Sequence, residues 1–333
     1  MKPVRSSPTT RRVVVSGALA VMRRYWVAVM VLAGLWFSGQ YVYEHGQGLV
    51  QHLRLSWGHL ALAVLAQILF WILVCHVWSM VVTRTTIARI TFSESLVHIA
   101  LLNLGKYLPG KVWGMFARGV HLGERHPVSS GEIFGATIFE QYYFFLSAVA
   151  LCALLLTLLH PSAFTLAGLG LCTAAVALSP HIHGYVGTWL ARVMVRFPKW
   201  MPVSQTKWKL TGLRQRDNLA LFLGFSAIWL LSGVIFYLVY LALFSGAASL
   251  RELAVMAIAN TAGVVAGFVA IFAPGGIGVR EGASAAILSL HMPIEDGLML
   301  AVAFRIWVVF SELLAGLLVL ALWRSPGKRR NGA

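Results

Sequence analysis

Two proline–glycine breaks interrupt apolar stretches of this chain, at residues 109–110 and 274–276. A charged residue follows 31 positions after the leading proline of each break, inside a long apolar run. These charged residues are Glu140 and Arg305. A charge in the middle of a membrane span is energetically costly and usually serves a function. Broken apolar segments at corresponding positions of two halves are typical of the binding site of a transporter.

Both breaks suit the binding of an anion. Proline is tolerated in the first turn of a helix and glycine lets the backbone approach a ligand, so each break is expected to begin a short helix. The free N–H groups of such a helix bind anions, and phosphate in particular. Nearby basic, acidic and amide side chains complete the predicted substrate-binding and translocation site. Its candidate residues are Asn103, Lys106, Pro109, Gly110, Lys111, Arg118, Glu140, Asn260, Pro274, Gly275, Gly276, Arg280, Glu281, Arg305 and Glu312.

Several of these residues have an alternative, structural role. Lys106 and Lys111 either bind the ligand or extend to the cytoplasmic surface. The adjacent residues Arg280 and Glu281 either form a local ion pair or belong to the site. These alternatives stay open at the level of the sequence.

Glu140 and Arg305 occupy equivalent places in the two halves, and we expect them to act in gating. Either they pair with each other as a latch, or they contact the ligand in one conformation. Glu312 lies seven residues after Arg305, on the same helix face, and competes as its partner. Asn103 and Asn260 either bind the ligand or satisfy interrupted backbone.

The composition predicts an integral membrane protein. Of the 333 residues, 59% are hydrophobic and only 11% are charged, against about 25% charged residues in soluble domains. Basic residues number 27 against 11 acidic ones, and most of them lie in short segments between or beyond the spans. This placement follows the positive-inside rule and argues against a nucleic-acid partner. We expect the basic segments also to contact anionic lipid headgroups.

Six apolar runs have the length of a membrane span, about 20 residues. Two further apolar pieces run into the proline–glycine breaks and are expected to form re-entrant helical hairpins, at 91–131 and 253–296. The predicted full spans are approximately Tyr25–Val42, His59–Val82, Ile133–Leu159, Phe164–Pro180, Leu219–Phe244 and Gly297–Trp323.

The charge rule then orders the chain into two membrane repeats of opposite orientation. We predict an all-α integral membrane protein of about six full transmembrane helices and two broken re-entrant hairpins, arranged as an inverted-topology repeat. Both termini are expected in the cytoplasm. The predicted segments are a basic N-terminus at 1–24, repeats at 25–159 and 164–323, a basic cytoplasmic loop at 181–218 and a basic tail at 324–333.

The sequence gives little support to an enzyme. The longest segment between spans, 181–218, has one acidic residue, Asp217, and no recognisable catalytic motif. The three cysteines lie in apolar runs, and no spacing indicates a metal or a cofactor. We therefore expect no enzyme activity, although an intramembrane transferase stays open as an alternative.

The string Pro274-Gly275-Gly276-Ile277-Gly278-Val279-Arg280-Glu281, with Leu108-Pro109-Gly110-Lys111-Val112-Trp113 and Arg305, resembles the lysylphosphatidylglycerol synthase transmembrane family. This is the flippase-like module of multiple-peptide-resistance proteins, and the resemblance covers about residues 25–323. Glu140 matches the acidic residue of the family's Glu-Arg pair. Here Gln141 follows it, and Phe144 stands where a further acid is common. This departure from the family pattern removes an internal counter-ion, which would free Glu140 to pair with Arg305.

The resemblance implies a flippase or scramblase that moves an anionic phospholipid, an aminoacyl-phospholipid or a polyprenyl-linked glycolipid between leaflets. It also implies the cytoplasmic (inner) membrane of a bacterium. Lysyl transfer is not expected, because the fused members carry that chemistry in a separate soluble domain. The alternative is a non-transporting scaffold for enzymes that modify envelope polysaccharides or lipids. A homo-oligomer or such a partner enzyme is the expected protein partner.

Overall fold

The computed structural model describes residues 55–106, 113–128, 130–196, 214–244, 248–270 and 273–322. This part of the chain folds into nine α-helices and one short 3-10 turn, without a β-strand. The helices are α1 (Trp57–Thr85), α2 (Phe92–Gly105), α3 (Trp113–Gly123), α4 (Ser130–Leu159), α5 (Ala163–Arg196), α6 (Gln215–Phe244), α7 (Leu250–Val269), α8 (Val279–Leu288) and α9 (Ile294–Leu322), with the 3-10 turn at Pro274–Gly276. We call α1–α4 the first half and α5–α9 the second half.

Five of the described helices are long and apolar enough to cross a membrane: α1, α4, α6, α7 and α9. A helix satisfies its own backbone hydrogen bonds, which is why apolar spans of this length fold as helices in lipid. Many large apolar side chains point outward from the bundle, as lipid-facing residues do, among them Leu65, Ile72 and Phe310. The protein is an all-α integral membrane protein, as the composition predicts.

The antiparallel pair α1 and α6 defines the two ends of the bundle. At one end, the Ser56 N–H donates to the Ala242 carbonyl oxygen at 2.9 Å. At the other end, the Arg84 guanidinium lies 3.2 Å from the Asp217 carboxylate. We call these the Ser56 end and the Arg84 end.

Helices α2 and α3 form a hairpin whose base lies at the Arg84 end. The Thr91 hydroxyl and the Glu94 carboxylate form a capping box that begins α2 only a few residues after α1 ends. Glu94 also contacts the His126 ring at 3.1 Å, which ties the start of α2 to the segment after α3. The chain therefore enters and leaves the bundle at one end.

Helices α7 and α8 form a second hairpin, whose base lies at the Ser56 end. Helix α7 begins just after α6 ends, and α8 returns to the start of α9. The tips of the two hairpins meet inside the bundle, where the Gly275 N–H donates to the Lys106 carbonyl oxygen at 2.9 Å. The predicted entry of two hairpins from opposite ends is thus confirmed within the described residues.

Two elements differ in length from the predicted ones. Helix α7 has 20 residues, about 30 Å, and is long enough to span a bilayer rather than half of one. Helix α5 continues through Pro180 to Arg196, so the first part of the predicted loop 181–218 is helical. A proline inside a membrane helix is tolerated because neighbouring groups satisfy the freed carbonyl. The predicted span 25–42, the N-terminus 1–24 and the tail 324–333 lie outside the described residues.

Candidate functional site

The turn at Pro274–Gly276 brings the second hairpin against the first. Gly275 and Gly276 have φ angles of 60° and 73°, in the left-handed region that glycine adopts without strain. A Cβ on Gly276 would lie 2.8 Å from the Gly267 Cα, so the arms approach too closely for a side chain there. The Arg305 guanidinium donates to the Gly275 carbonyl oxygen at 2.8 Å and holds the turn in place.

The first half contains a fully buried ion pair. The Arg118 guanidinium on α3 donates twice to the Glu140 carboxylate on α4. Its Nε donates to the His98 carbonyl oxygen at 2.9 Å, and its planar end lies over the Trp78 ring at 3.9 Å. The charge is therefore paired and hydrogen-bonded on several sides, which burial of a charge requires.

The second half contains an ion pair of the opposite polarity. Here the acid, Glu281, lies on the short helix α8, and Arg305 lies on the long helix α9, with 3.6 Å between Nε and Oε1. Glu281 also accepts the Gly278 N–H at 2.7 Å and so caps α8. The start of α8 therefore binds a carboxylate of the chain itself, which differs from the expectation that it binds a ligand anion.

Of the two alternatives left open for Glu140 and Arg305, direct pairing with each other does not occur in this structure. Each of these residues pairs within its own half, because the short helix after each break supplies a partner of opposite charge. Both lie about a third of the way along their helices, roughly 15 Å from the first residue at 1.5 Å per residue. Since α4 and α9 begin at opposite ends of the bundle, both charges lie deep within it.

A third ion pair joins the two halves. The Lys106 ammonium at the end of α2 binds the Glu312 carboxylate on α9. Glu312 is thus a partner of Lys106, whereas the sequence places it beside Arg305. The Lys106 side chain is directed to α9 inside the bundle rather than to a bundle end, which favours the interior role over that of a surface lysine. We call the contacts of Lys106 with Gly275 and Glu312 the hairpin seam.

Arg280 lies in the first turn of α8 and is oriented by hydrogen bonds through two polar side chains. The Asn260 amide donates to the Ser232 hydroxyl at 2.8 Å, which turns its carbonyl oxygen toward Arg280. The Arg280 guanidinium donates to that oxygen at 3.4 Å and lies 5.9 Å above the Phe304 ring. Asn260 therefore positions a cation, a role beyond the two that the sequence left open.

A cavity of about 240 Å³ lies beside the hairpin seam, between helices of both halves. Three basic and two acidic side chains reach it: Lys106, Arg280, Arg305, Glu140 and Glu312. Most of the remaining wall is aromatic or aliphatic, with neutral polar groups between. The aromatic wall residues are Phe70, Trp71, Phe144, Phe225, Trp229, Phe268 and Phe304, and the neutral polar ones are Gln67, Asn103, Gln141, Ser232 and Ser311.

Most of the described candidate residues meet at this cavity. Asn103 and Gly275 line it directly, and Arg118 and Glu281 pair with residues that line it. Pro274 and Gly276 form the turn at the hairpin tip. The first break, with Pro109, Gly110 and Lys111, lies outside the described residues.

Sequence reasoning missed several residues of the wall and its support. Gln67, which accepts a hydrogen bond from Trp307 at 2.9 Å, and His98 were detectable as polar residues inside apolar helices. Ser232 carries a weaker signal of the same kind. The aromatic wall residues carried no such signal, because aromatic residues also occur on the outer faces of these helices, as Phe310 does.

The fold and the cavity define a class: a helical membrane protein in which two hairpins from opposite ends enclose a charged cavity with apolar walls. The chain belongs to the family described as the lysylphosphatidylglycerol synthase TM region, whose model matches residues 13–316. Comparison with curated proteins and with solved structures gives no match. The family assignment made from the proline–glycine motifs is confirmed, and it is consistent with a membrane-lipid-related role.

Proposed function

We propose that the protein moves a lipid between the leaflets of a bacterial cytoplasmic membrane, chemically unchanged, with both termini in the cytoplasm. The observation that carries the proposal is the cavity at the hairpin seam. It combines aromatic walls with five charged side chains at the depth where the two hairpin tips meet. A lipid headgroup needs such polar contacts inside the membrane, because an unpaired charge there is costly.

The arrangement of ion pairs supports movement of one half against the other. Arg118 pairs with Glu140 and Glu281 with Arg305, each within one half, so both pairs persist if the halves separate. Of the three ion pairs at the cavity, Lys106–Glu312 is the one that crosses between the halves, so a separation at the hairpin seam would break it. An anionic headgroup can replace Glu312 as the partner of Lys106, which offsets the loss of that ion pair. Alternating access of inverted repeats commonly works by such rigid-body rocking.

Leaflet exchange of fluorescent lipids in proteoliposomes tests this function. Wild type is expected to exchange an anionic phospholipid or a polyprenyl-phosphate glycolipid, and Glu140→Gln and Arg305→Gln are expected to lose most of this exchange. Ser311→Trp fills the cavity without removing a charge and is expected to block exchange as well. Phe310→Trp is its matched control, because Phe310 is 60% exposed on the outer face of the same helix.

No exchange of any anionic lipid by folded wild-type protein would contradict transport. The scaffold for envelope-modifying enzymes would then be the better interpretation, because a scaffold does not need an open charged cavity. A changed lipid recovered from the vesicles would instead indicate an intramembrane transferase.

A further inference from the structure

A second groove, separate from the charged cavity, lies between α4, α6 and α7 near the Ser56 end. Its volume is about 670 Å³, within the roughly 300–1,000 Å³ that is typical of ligand sites. It opens to the outside of the bundle, where Leu158 and Leu250 on its rim are 71% and 84% exposed. Among its described lining residues Arg251 carries the only charge, and the others are aliphatic. These are Leu155, Leu158 and Leu159 on α4, Leu230 and Val234 on α6, and Leu250, Leu253, Ala254 and Ala257 on α7.

The charge and the aliphatic wall of this groove lie at different depths. Arg251 is the second residue of α7, at the level where that span begins. Ala257 lies about 9 Å deeper, at 1.5 Å per residue along the helix. Because α7 has about the length of the hydrocarbon core, its first turn lies near the lipid headgroups and the aliphatic wall lies beneath them. A cation above an aliphatic slot matches a phosphate above a hydrocarbon chain.

The charge of Arg251 is not neutralised by the acidic residue beside it in the sequence. Arg251 is exposed and lines the groove, whereas Glu252 does not line it and has one carboxylate oxygen buried in the protein. Adjacent residues of a helix do not face each other, which accounts for this difference. Arg251 takes part in none of the ion pairs between described residues. The groove therefore offers a cation to an anionic group of the membrane.

The groove and the charged cavity lie along the same interface between α4, α6 and α7. A cluster of buried residues separates them: Ala148, Leu151 and Trp229. Leu155, which lines the groove, packs against this cluster, and so do Phe144 and Val264, which line the cavity. One layer of apolar side chains thus lies between a site near the membrane surface and a site deep in the bundle.

We propose that this groove binds an anionic phospholipid of the leaflet at the Ser56 end, with the phosphate at Arg251 and a hydrocarbon chain along the aliphatic wall, and that the lipid passes between this groove and the cavity. The inference rests on the proposed function and adds a second lipid site to it. In the proposed orientation this leaflet faces away from the cytoplasm. A zwitterionic phospholipid binds less well, because its own ammonium group offsets the attraction between its phosphate and Arg251.

Photo-crosslinking of the full-length protein in proteoliposomes tests the binding. The photoreactive residue p-benzoylphenylalanine replaces Leu158 on the rim of the groove, or Leu166, which is 55% exposed at the start of α5 and does not line the groove. The vesicles contain equal amounts of phosphatidylglycerol and phosphatidylethanolamine, and mass spectrometry identifies the captured lipid. At Leu158 we expect about fivefold more phosphatidylglycerol than phosphatidylethanolamine, the effect of one basic residue at the headgroup level. At Leu166 we expect equal capture of the two lipids.

Variants of Arg251 identify the residue responsible for the preference. Arg251→Gln is expected to abolish the preference at Leu158, and Arg251→Lys to keep most of it, because the attraction depends on the positive charge. Arg216→Gln is the matched control, since Arg216 is an exposed basic residue in the first turn of α6 and does not line the groove. The control is expected to behave as wild type.

Leaflet exchange of fluorescent phosphatidylglycerol tests whether the groove belongs to the transport path. Ala254→Trp fills the groove without removing a charge and is expected to slow exchange roughly tenfold. Arg251→Gln changes only an exposed side chain and is expected to slow exchange about fivefold. Leu166→Trp is the control for added bulk, because it places the same side chain outside the groove, and is expected to exchange lipid as wild type does.

The two measurements separate this inference from the proposed function. Selective capture at Leu158 that Arg251→Gln removes, in a protein that exchanges no lipid, would contradict transport and support the lipid site. Exchange by wild type, together with equal capture of both lipids at Leu158, would support transport and overturn the site. Exchange that neither Ala254→Trp nor Arg251→Gln slows would overturn the place of the groove in the transport path.

Discussion

Arg118 shows what a membrane-buried charge requires of its neighbours. Glu140 neutralises it, the His98 carbonyl takes its Nε–H, and Trp78 covers its face. The sequence located Glu140, because a carboxylate inside an apolar run is conspicuous. It did not identify the partner, because the choice among Arg118, Arg280 and Arg305 depends on how the short helices dock, and spacing along the chain carries no such information.

Removal of one member of this pair should destabilise the protein more than removal of both. Glu140→Gln leaves the Arg118 charge buried without its partner and is expected to cost about 3–5 kcal/mol, whereas the double variant Arg118→Met/Glu140→Leu should recover most of this loss. Thermal unfolding of the purified protein in detergent gives the comparison. An unfolding temperature of Glu140→Gln equal to that of wild type would contradict a stabilising pair.

At the scale of helices, the proline–glycine breaks predicted the two hairpins and their order along the chain. The length of α7 was not predictable, because an apolar run before a break has the same composition whether it crosses half of the membrane or all of it. The extension of α5 beyond Pro180 was missed for a related reason: a proline in an apolar run marks either the end of a helix or a tolerated interior position. Packing against neighbouring helices decides between these possibilities.

Close packing within each hairpin depends on glycines at the places where its two arms meet. A Cβ at Gly114 would lie 2.7 Å from the Leu102 Cα, and a Cβ at Gly263 would lie 2.8 Å from the Arg280 carbonyl oxygen. Because backbone cannot move aside as a flexible side chain does, Gly114→Ala and Gly263→Ala should each cost about 1–3 kcal/mol of stability.

The matched control for these substitutions is Gly282→Ala on α8. No heavy atom lies within 4 Å of a Cβ placed there, so the added methyl group meets open space. Gly282→Ala should therefore be neutral or stabilising by up to about 1 kcal/mol through helix propensity. Unfolding of the three purified variants in detergent measures these differences in stability. Equal stability of all three would contradict tight packing within the hairpins.

For the whole molecule, the charge distribution was sufficient to predict that the hairpins enter from opposite ends. The positions of the basic loops and the number of spans predict that the two hairpins have their bases at opposite ends of the bundle. The Arg84–Asp217 and Ser56–Ala242 contacts, which define those ends, agree with this prediction. The hairpin seam was beyond prediction. Lys106 and Glu312 are separated by 206 positions, and their contact requires the complete packing of α2 against α9.

Labelling of single cysteines tests the opposite orientation of the hairpins in a membrane. In a background without Cys75, Cys152 and Cys172, Glu124→Cys should react with an impermeant maleimide only from the cytoplasmic side, and His291→Cys only from the other side. Both positions are exposed near the base of a hairpin, so access depends on the side of the membrane alone. Labelling of both from one side would overturn the inverted arrangement.

The opposite polarity of the two buried ion pairs has a consequence for how the chain assembles. Because the two halves are of similar design, the short helix of one half can dock incorrectly on the long helix of the other during membrane insertion. Such an exchange would set Arg118 against Arg305 and Glu281 against Glu140, and like charges in contact strongly disfavour a wrong partner. The opposite polarity of the two ion pairs therefore favours docking of each short helix on the long helix of its own half and disfavours its docking on the other long helix.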